Sequence, residues 1–230
     1  AGGTAVTMNP EPLADFLDIV VLGEAEELIP ELVPRMISAR DRACSREELF
    51  AGLSELRGVY IPSLFEARYG SDGTLAGFGS CAPRAKRRIL ADLSASPTCS
   101  LILSPHTEFR SMFLTETGRG CEMGCRFCAA GYIYRPVRKR SQETVSQSVR
   151  EGMQYTSVVG FVGAAVSSHR AIPELLDQVT SSGGRGSLSS IMSQKVSDEL
   201  SASIGAAGQK SVALAPEAAT ERLRFAVGKR

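Results

Sequence analysis

Three cysteines within eight residues carry the clearest chemistry in this chain. The segment Gly118-Arg119-Gly120-Cys121-Glu122-Met123-Gly124-Cys125-Arg126-Phe127-Cys128 spaces its thiols as Cys-x3-Cys-x2-Cys, with glycines that let the backbone wrap closely around a ligand. Thiolates are soft donors. A loop that turns three of them inward suits an iron–sulfur cube whose negative charge is offset by neighbouring amide N–H groups. Three protein ligands leave one iron open. Structural zinc is the competing reading: it wants four ligands, and the two histidines, His106 and His169, lie outside the loop. The remaining cysteines, Cys44, Cys81 and Cys99, are scattered singly. That layout is unlike the framework of a disulfide-stapled secreted domain and fits a reducing compartment.

Such a loop needs elements to hold it. Met112 to Thr117 reads as a strand leading into the cysteines, followed by a helix from about Gln142 to Tyr155 and an apolar strand at Val158 to Val166. Ile172 to Thr180 reads as helix, Gly186 to Ile191 as extended, Ser197 to Ala207 as helix, Ser211 to Ala215 as extended and Glu217 to Val227 as helix. Strands alternating with helices at this spacing imply right-handed βαβ units and a parallel sheet or barrel wall of about four units. Ligands gather beyond the carboxyl ends of such strands, so chemistry is expected in the loops after Thr117, Val166, Ile191 and Ala215. Upstream, Thr4 to Met8 reads as a strand closed by Asn9-Pro10-Glu11-Pro12, Asp18 to Gly23 as a second strand and Glu24 to Ala39 as a helix with acidic residues at its first turn. From Ser45 to Ser104 the pattern weakens to a short helix (Glu47 to Leu56), a Gly-Val-Tyr-Ile-Pro turn, the loose SDGTLAGFGS and the basic Arg84-Ala85-Lys86-Arg87-Arg88.

The balance of 26 Lys plus Arg against 25 Asp plus Glu, a formal charge of +1, creates no overall field that would collect nucleic acid or anionic lipid. The local run Arg135-Pro136-Val137-Arg138-Lys139-Arg140 could hold a phosphate, an acidic partner or an electron donor of the flavodoxin or ferredoxin type; a solvated helix entrance is the plainer reading. Four basic groups with only Tyr132 and Tyr134 beside them do not make a nucleic-acid footprint. No stretch approaches the roughly 18 apolar residues of a membrane span, and AGGTAVTMNP lacks the basic and apolar parts of a signal peptide, so a cytoplasmic location is expected. The chain starts at Ala1 and stops at Gly228-Lys229-Arg230 with no capping element, which reads as a fragment.

With aromatic Phe127 before its last cysteine, the trio resembles the signature of the radical S-adenosylmethionine (radical SAM) enzymes. The surrounding string, EFRSMFLTETGRGCEMGCRFCAAGYIYRPVRKRSQETV, resembles a largely uncharacterised bacterial group of them that carries an N-terminal cobalamin-binding-like domain. The resemblance covers nearly the whole chain. It implies an α/β protein in which residues 1–44 are the last part of a doubly wound cobalamin-binding-like domain, 45–108 a linker with small β pieces and 109–230 a partial radical SAM (β/α) barrel. It further implies that Cys121, Cys125 and Cys128 bind a [4Fe-4S] cluster and that the open iron holds the amino and carboxylate groups of S-adenosylmethionine, with Phe127 near the adenine. One electron then cleaves a sulfur–carbon bond to give a 5'-deoxyadenosyl radical. Gly163 and Ala164 would meet the methionine amino group, Ser167 and Ser189 would line the cofactor, and Glu217 would face the nucleoside or substrate.

Plainer readings stand beside these: a small-residue strand under a helix at Ala165, a loop hydrogen bond for His169, and a carboxylate at a helix N-terminus for Glu217. Relatives carry Arg and Asp after the serine pair at Ser189-Ser190, where this chain has Ile191-Met192-Ser193-Gln194. The Asp-x-His-x-x-Gly motif of cobalamin ligation is absent, and cobalamin is kept as a candidate cofactor. The substrate is unknown; methyl or methylthio transfer and radical rearrangement are all open. A non-catalytic metal-binding module and an inactive fragment are the alternative readings.

Overall fold

The computed structural model describes residues 1–80 and 82–229, so Cys81 lies outside the described residues. The chain divides into two compact units, Ala1–Ala91 and Asp92–Arg230.

In the first unit Thr4–Met8 forms a short helix, α1, where a strand was expected. A five-residue apolar run has too few periods to separate the two, and here only Val6 is buried. The expected strand at Asp18 to Gly23 shrinks to β1 (Val20–Val21). Helix α2 (Leu28–Asp41) and helix α3 (Arg46–Ser54) follow, the latter held by a capping box in which Ser45 accepts from the Glu48 backbone and Glu48 accepts from that of Ser45. Strand β2 (Val59–Tyr60) pairs antiparallel with β1. Leu28 and Leu32 of α2, Phe50 and Leu53 of α3, and Val21, Val59 and Ile61 close one apolar core. Beyond it β3 (Phe65–Tyr69) and β4 (Leu75–Ser80) form an antiparallel hairpin in the stretch expected to be loose. Asp72 organises its turn by accepting from both the backbone N–H (3.0 Å) and the hydroxyl (2.7 Å) of Thr74.

The second unit is built on a four-stranded sheet. Its elements are β5 (Phe113–Arg119), α4 (Ala130–Ile133), β6 (Arg138–Lys139), α5 (Gln142–Gly152), β7 (Val158–Gly163), α6 (Ile172–Ser181), β8 (Arg185–Leu188), α7 (Asp198–Ala206) and α8 (Glu221–Ala226). The strand order is β6-β5-β7-β8, with β5, β7 and β8 parallel and β6 an antiparallel edge. Ahead of β6, the outer edge of β5 is covered by residues 98–100: Cys99 bridges Thr115, Ser100 N–H donates to Leu114 O and Glu116 N–H to Thr98 O. The edge therefore offers no open ladder there.

Helices α5, α6 and α7 supply Val145, Val149, Leu175, Leu176, Val179, Leu200 and Ile204 to a core shared with Val159 and Phe161 of β7 and Leu188 of β8. Burying each such side chain fully contributes about 1.5–3 kcal/mol, which makes this layer the main source of cohesion in the unit. Ser141 and Ser197 start α5 and α7 by accepting backbone N–H groups of Thr144 and Leu200.

The expected fourth strand at Ser211 to Ala215 is not formed; Leu214 makes a single parallel bridge to Ile191. Val212 and Leu214 are 43% and 49% exposed, so no packing layer rewards an extended ladder at that position. Helix α8 also starts later than expected, because Glu217 sits at φ +66°, off the helical path, and the Thr220 hydroxyl caps the chain by accepting from Leu223 N–H. No helix among the described residues is long and apolar enough to cross a membrane.

Gly152 ends α5 against β5, and a Cβ there would lie 2.3, 2.4 and 2.6 Å from ring carbons of Phe113. Gly152→Ala should gain up to about 1 kcal/mol of helix propensity and lose about 1–3 kcal/mol to overpacking. The expected net effect is destabilisation, read as a lower urea midpoint at unchanged m value.

Candidate metal centre

The cysteine loop leaves the sheet at the carboxyl end of β5, and two glycines set its course. Gly118 stands opposite Gly163 of β7 and Lys139 of β6, and a Cβ on it would lie 2.7 Å from the Arg138 carbonyl oxygen. Gly120 adopts φ +85°, with the Tyr134 carbonyl oxygen 2.7 Å from where its Cβ would be. The chain thus passes tightly against residues 134–138 before the cysteines begin.

Cys125 is buried, Cys121 and Cys128 are half-buried, and none of the three is in a disulfide. Cys128 N–H donates to Cys125 O at 3.2 Å, and Gly131 N–H, at the start of α4, donates to Cys128 O at 3.2 Å. Among the described residues no three Cys, His, Asp or Glu side chains already stand as a closed metal cage. Burial pushes the Cys125 thiol up; the positive charge of Lys229 opposes this, and the negative forms of Cys121 and Cys128 push it further up. Three soft donors on one glycine-flanked loop, the outer two disfavouring the ionised form of the central one, are a donor set whose mutual repulsion a cationic centre relieves. The residues present fit a thiolate-held cluster.

A segment without a sequence signature for this place packs on the loop. Arg126 N–H donates to Val227 O at 2.8 Å, and Gly228, at φ +76°, lies so close that a Cβ would meet the Gly124 carbonyl oxygen at 2.6 Å. The next residue, Lys229, donates through Nζ to Glu217 Oε1 at 3.0 Å. From the turn after β8, Lys195 reaches Glu122 at 3.7 Å. Lys229 and Glu217 belong to one segment that is distant in sequence from the cysteine loop, so only the folded chain reveals its place there.

The other expected residues line the same edge of the sheet. Gly163 ends β7, Ala164 is exposed in the turn behind it, and the Ser167 hydroxyl, buried, accepts from Met192 N–H at 2.9 Å. That bond ties the loop after β7 to the loop after β8. Ser189 is exposed just past β8 and donates its N–H to Phe161 O at 3.2 Å. Phe127 is 55% exposed. His169 is buried, with Nε2 at 2.9 Å from Arg140 O and Nδ1 accepting from Ala171 N–H at 3.3 Å. This network assigns the neutral Nε2–H tautomer and occupies both ring nitrogens, which supports the local hydrogen-bond reading of this histidine over a proton relay.

The basic run is a solvated helix entrance at Arg135 and Lys139, which are exposed ahead of α5, but not at its last residue. Arg135 stacks over the Tyr132 ring at 4.5 Å, Lys139 Nζ donates to Ser168 O, and the Arg140 side chain is 1% exposed. The Arg140 guanidinium donates to Glu116 Oε2 at 2.5 Å, to Ser96 O and Thr98 Oγ1 at 2.8 Å each, and to Leu93 O. Glu116 also accepts from Arg119 Nε at 2.9 Å.

Residues 115–230 match the family model described as the Radical SAM superfamily. The chain belongs to the radical SAM superfamily. Residues 1–62 of this radical SAM chain match a second model, described as Radical SAM proteins, N-terminal. An uncharacterised protein of Methanocaldococcus jannaschii is 26% identical over 232 residues, an alignment that covers 97% of this chain and 44% of that protein. The radical SAM chain thus spans less than half the length of that relative.

Two outcomes follow from the site. In the cluster-free chain at mildly alkaline pH, the raised thiol and burial of Cys125 should make its alkylation by iodoacetamide slower than that of Cys121 and Cys128, as followed by peptide mass spectrometry. Arg140→Gln removes one of the two guanidinium groups that Glu116 meets, and donors of the Leu93 and Ser96 carbonyls, and should cost about 1–3 kcal/mol of unfolding free energy in denaturant titrations.

Proposed function

We propose that this chain carries a [4Fe-4S] cluster on Cys121, Cys125 and Cys128 and uses it for the reductive cleavage of S-adenosylmethionine, starting radical chemistry on a substrate yet to be identified. The observation that carries the reading is the set of three disulfide-free thiols on one glycine-flanked loop at the carboxyl end of β5, within the stretch matched by the superfamily model. When bound, the cluster supplies one electron to the sulfonium and so an adenosyl radical.

The protein's own residues would bind and orient. Phe127 offers an exposed aromatic face beside the last cysteine, suited to stacking on adenine. Gly163 and Ala164 present backbone without side-chain bulk at the end of β7, where an amino group can approach carbonyl oxygens. Ser167 fixes the loop that follows by holding Met192, and Ser189 lies at the matching end of β8. Glu217 enters the reading through its ion pair with Lys229, which keeps that ammonium next to the cysteine loop. The electron comes from a donor of the flavodoxin or ferredoxin type. Cobalamin has no role in this reading. No residue selects among methyl transfer, methylthio transfer and rearrangement.

Anaerobic reconstitution with iron and sulfide, then electron paramagnetic resonance of the reduced protein, tests the reading. The expected result is a cubane signal that shifts when S-adenosylmethionine is added and is lost in Cys125→Ala. Zinc retention in place of iron, or a cluster whose signal ignores the sulfonium, would instead assign a non-catalytic metal module.

A further inference from the structure

A cleft of about 300 Å³ lies between the turn after β8 and the segment around α8, lined by Ser193, Gln194, Pro216, Arg224 and Lys229. Its donors are incompletely used. Arg224 Nη1 donates to Ala218 O at 3.1 Å and Ala219 O at 3.4 Å, and its Nε and Nη2 hydrogens have no partner among the described residues. Lys229 spends one of its three ammonium hydrogens on Glu217, and its side chain is 18% exposed. Gln194 accepts from the Ser193 hydroxyl at 3.3 Å through Oε1, which leaves its amide NH2 to donate. Among the described residues no carboxylate lines the cleft. Glu217 is paired outside the lining, so two cations against one anion leave a net positive charge where the unused donors converge.

We propose that this cleft is an oxyanion-binding site, taking a carboxylate or phosphate group of a molecule handled beside the cysteine loop. A guanidinium edge and an ammonium facing one partly sheltered space are the donor pair that holds such groups through charge-assisted hydrogen bonds. The location follows from the same segment: Val227 and Gly228, between Arg224 and Lys229, are the residues that dock on Arg126 and Gly124, and Lys195, next to Gln194, pairs with Glu122. A group held in the cleft is thereby held next to Cys121–Cys128. The proximity to reacting atoms rests on the proposed cluster; the binding itself does not. The oxyanion has two sources, the carboxylate of S-adenosylmethionine or an acidic group on the substrate.

NMR chemical-shift titration of the cluster-free chain with inorganic phosphate, and separately with methionine, reads the cleft alone. The expected result is saturable shifts at Gln194, Arg224 and Lys229, with binding roughly tenfold weaker in Arg224→Gln and in Lys229→Gln, largely kept in Arg224→Lys, and unchanged in Arg150→Gln on the exposed face of α5. The absence of saturable binding, or equal affinity in Arg224→Gln and the wild type, would overturn the site. Titration of the reconstituted protein with S-adenosylmethionine then separates the sources. A parallel loss in Arg224→Gln identifies the carboxylate of S-adenosylmethionine as occupant, and S-adenosylmethionine binding that persists while phosphate binding is lost identifies an acidic substrate. Because the phosphate arm needs no iron, failure to form a cluster and failure of the cleft are separate results.

Discussion

The buried guanidinium of Arg140 is the interaction on which the placement of the cysteine loop depends. Removing a full charge from water costs several kcal/mol, and it is tolerated only where geometry and hydrogen bonds restore what solvent supplied. Here the side chain meets a carboxylate, two carbonyl oxygens and a hydroxyl, and only its Nε stays without a partner. Those acceptors come from Glu116 in β5 and from residues 93–98, so one residue joins the strand to the segment that covers its edge. Its backbone does as much: Arg140 N–H donates to Thr117 O, and Arg140 O meets His169 Nε2 in the loop after β7. The root of the cysteine loop, pressed at Gly118 and Gly120 against residues 134–138, inherits its position from this anchor.

Much of this was legible in the chain before folding. Helices α5, α6 and α7 follow from apolar residues at helical spacing, with serine caps at α5 and α7, and β7 follows from an apolar run long enough to be distinctive. The thiol spacing told its own story. What stayed hidden was set by tertiary context. Thr4 to Met8 has one buried residue and no period to read, so its helix comes from the surroundings; Ser211 to Ala215 has strand-like composition but no layer to cover it. Arg140 looked like one of four solvated charges because sequence alone does not say which member of a basic run meets a buried carboxylate.

The candidate site divides along the same line. Cysteines and strand-end glycines announce themselves by type and spacing, whereas Lys229, Arg224 and Glu217 reach the cysteine loop through contacts that only a folded chain creates. His169 is the converse case. Its residue type invites a catalytic reading, and its two hydrogen bonds make it a clasp between β6 and the loop after β7.

The docking of Gly228 on Gly124 has a mechanical consequence. Two backbones in direct contact, with no side chain between them to change rotamer, cannot slide independently, and the Arg126–Val227 hydrogen bond pins them in one register. A rearrangement that draws the three sulfurs together therefore moves α8 as well, and whatever steadies α8 biases the loop toward or away from that arrangement by the same free energy. The cysteine loop and the segment after α8 act as a single lever, in which a change of posture at one arm is felt at the other.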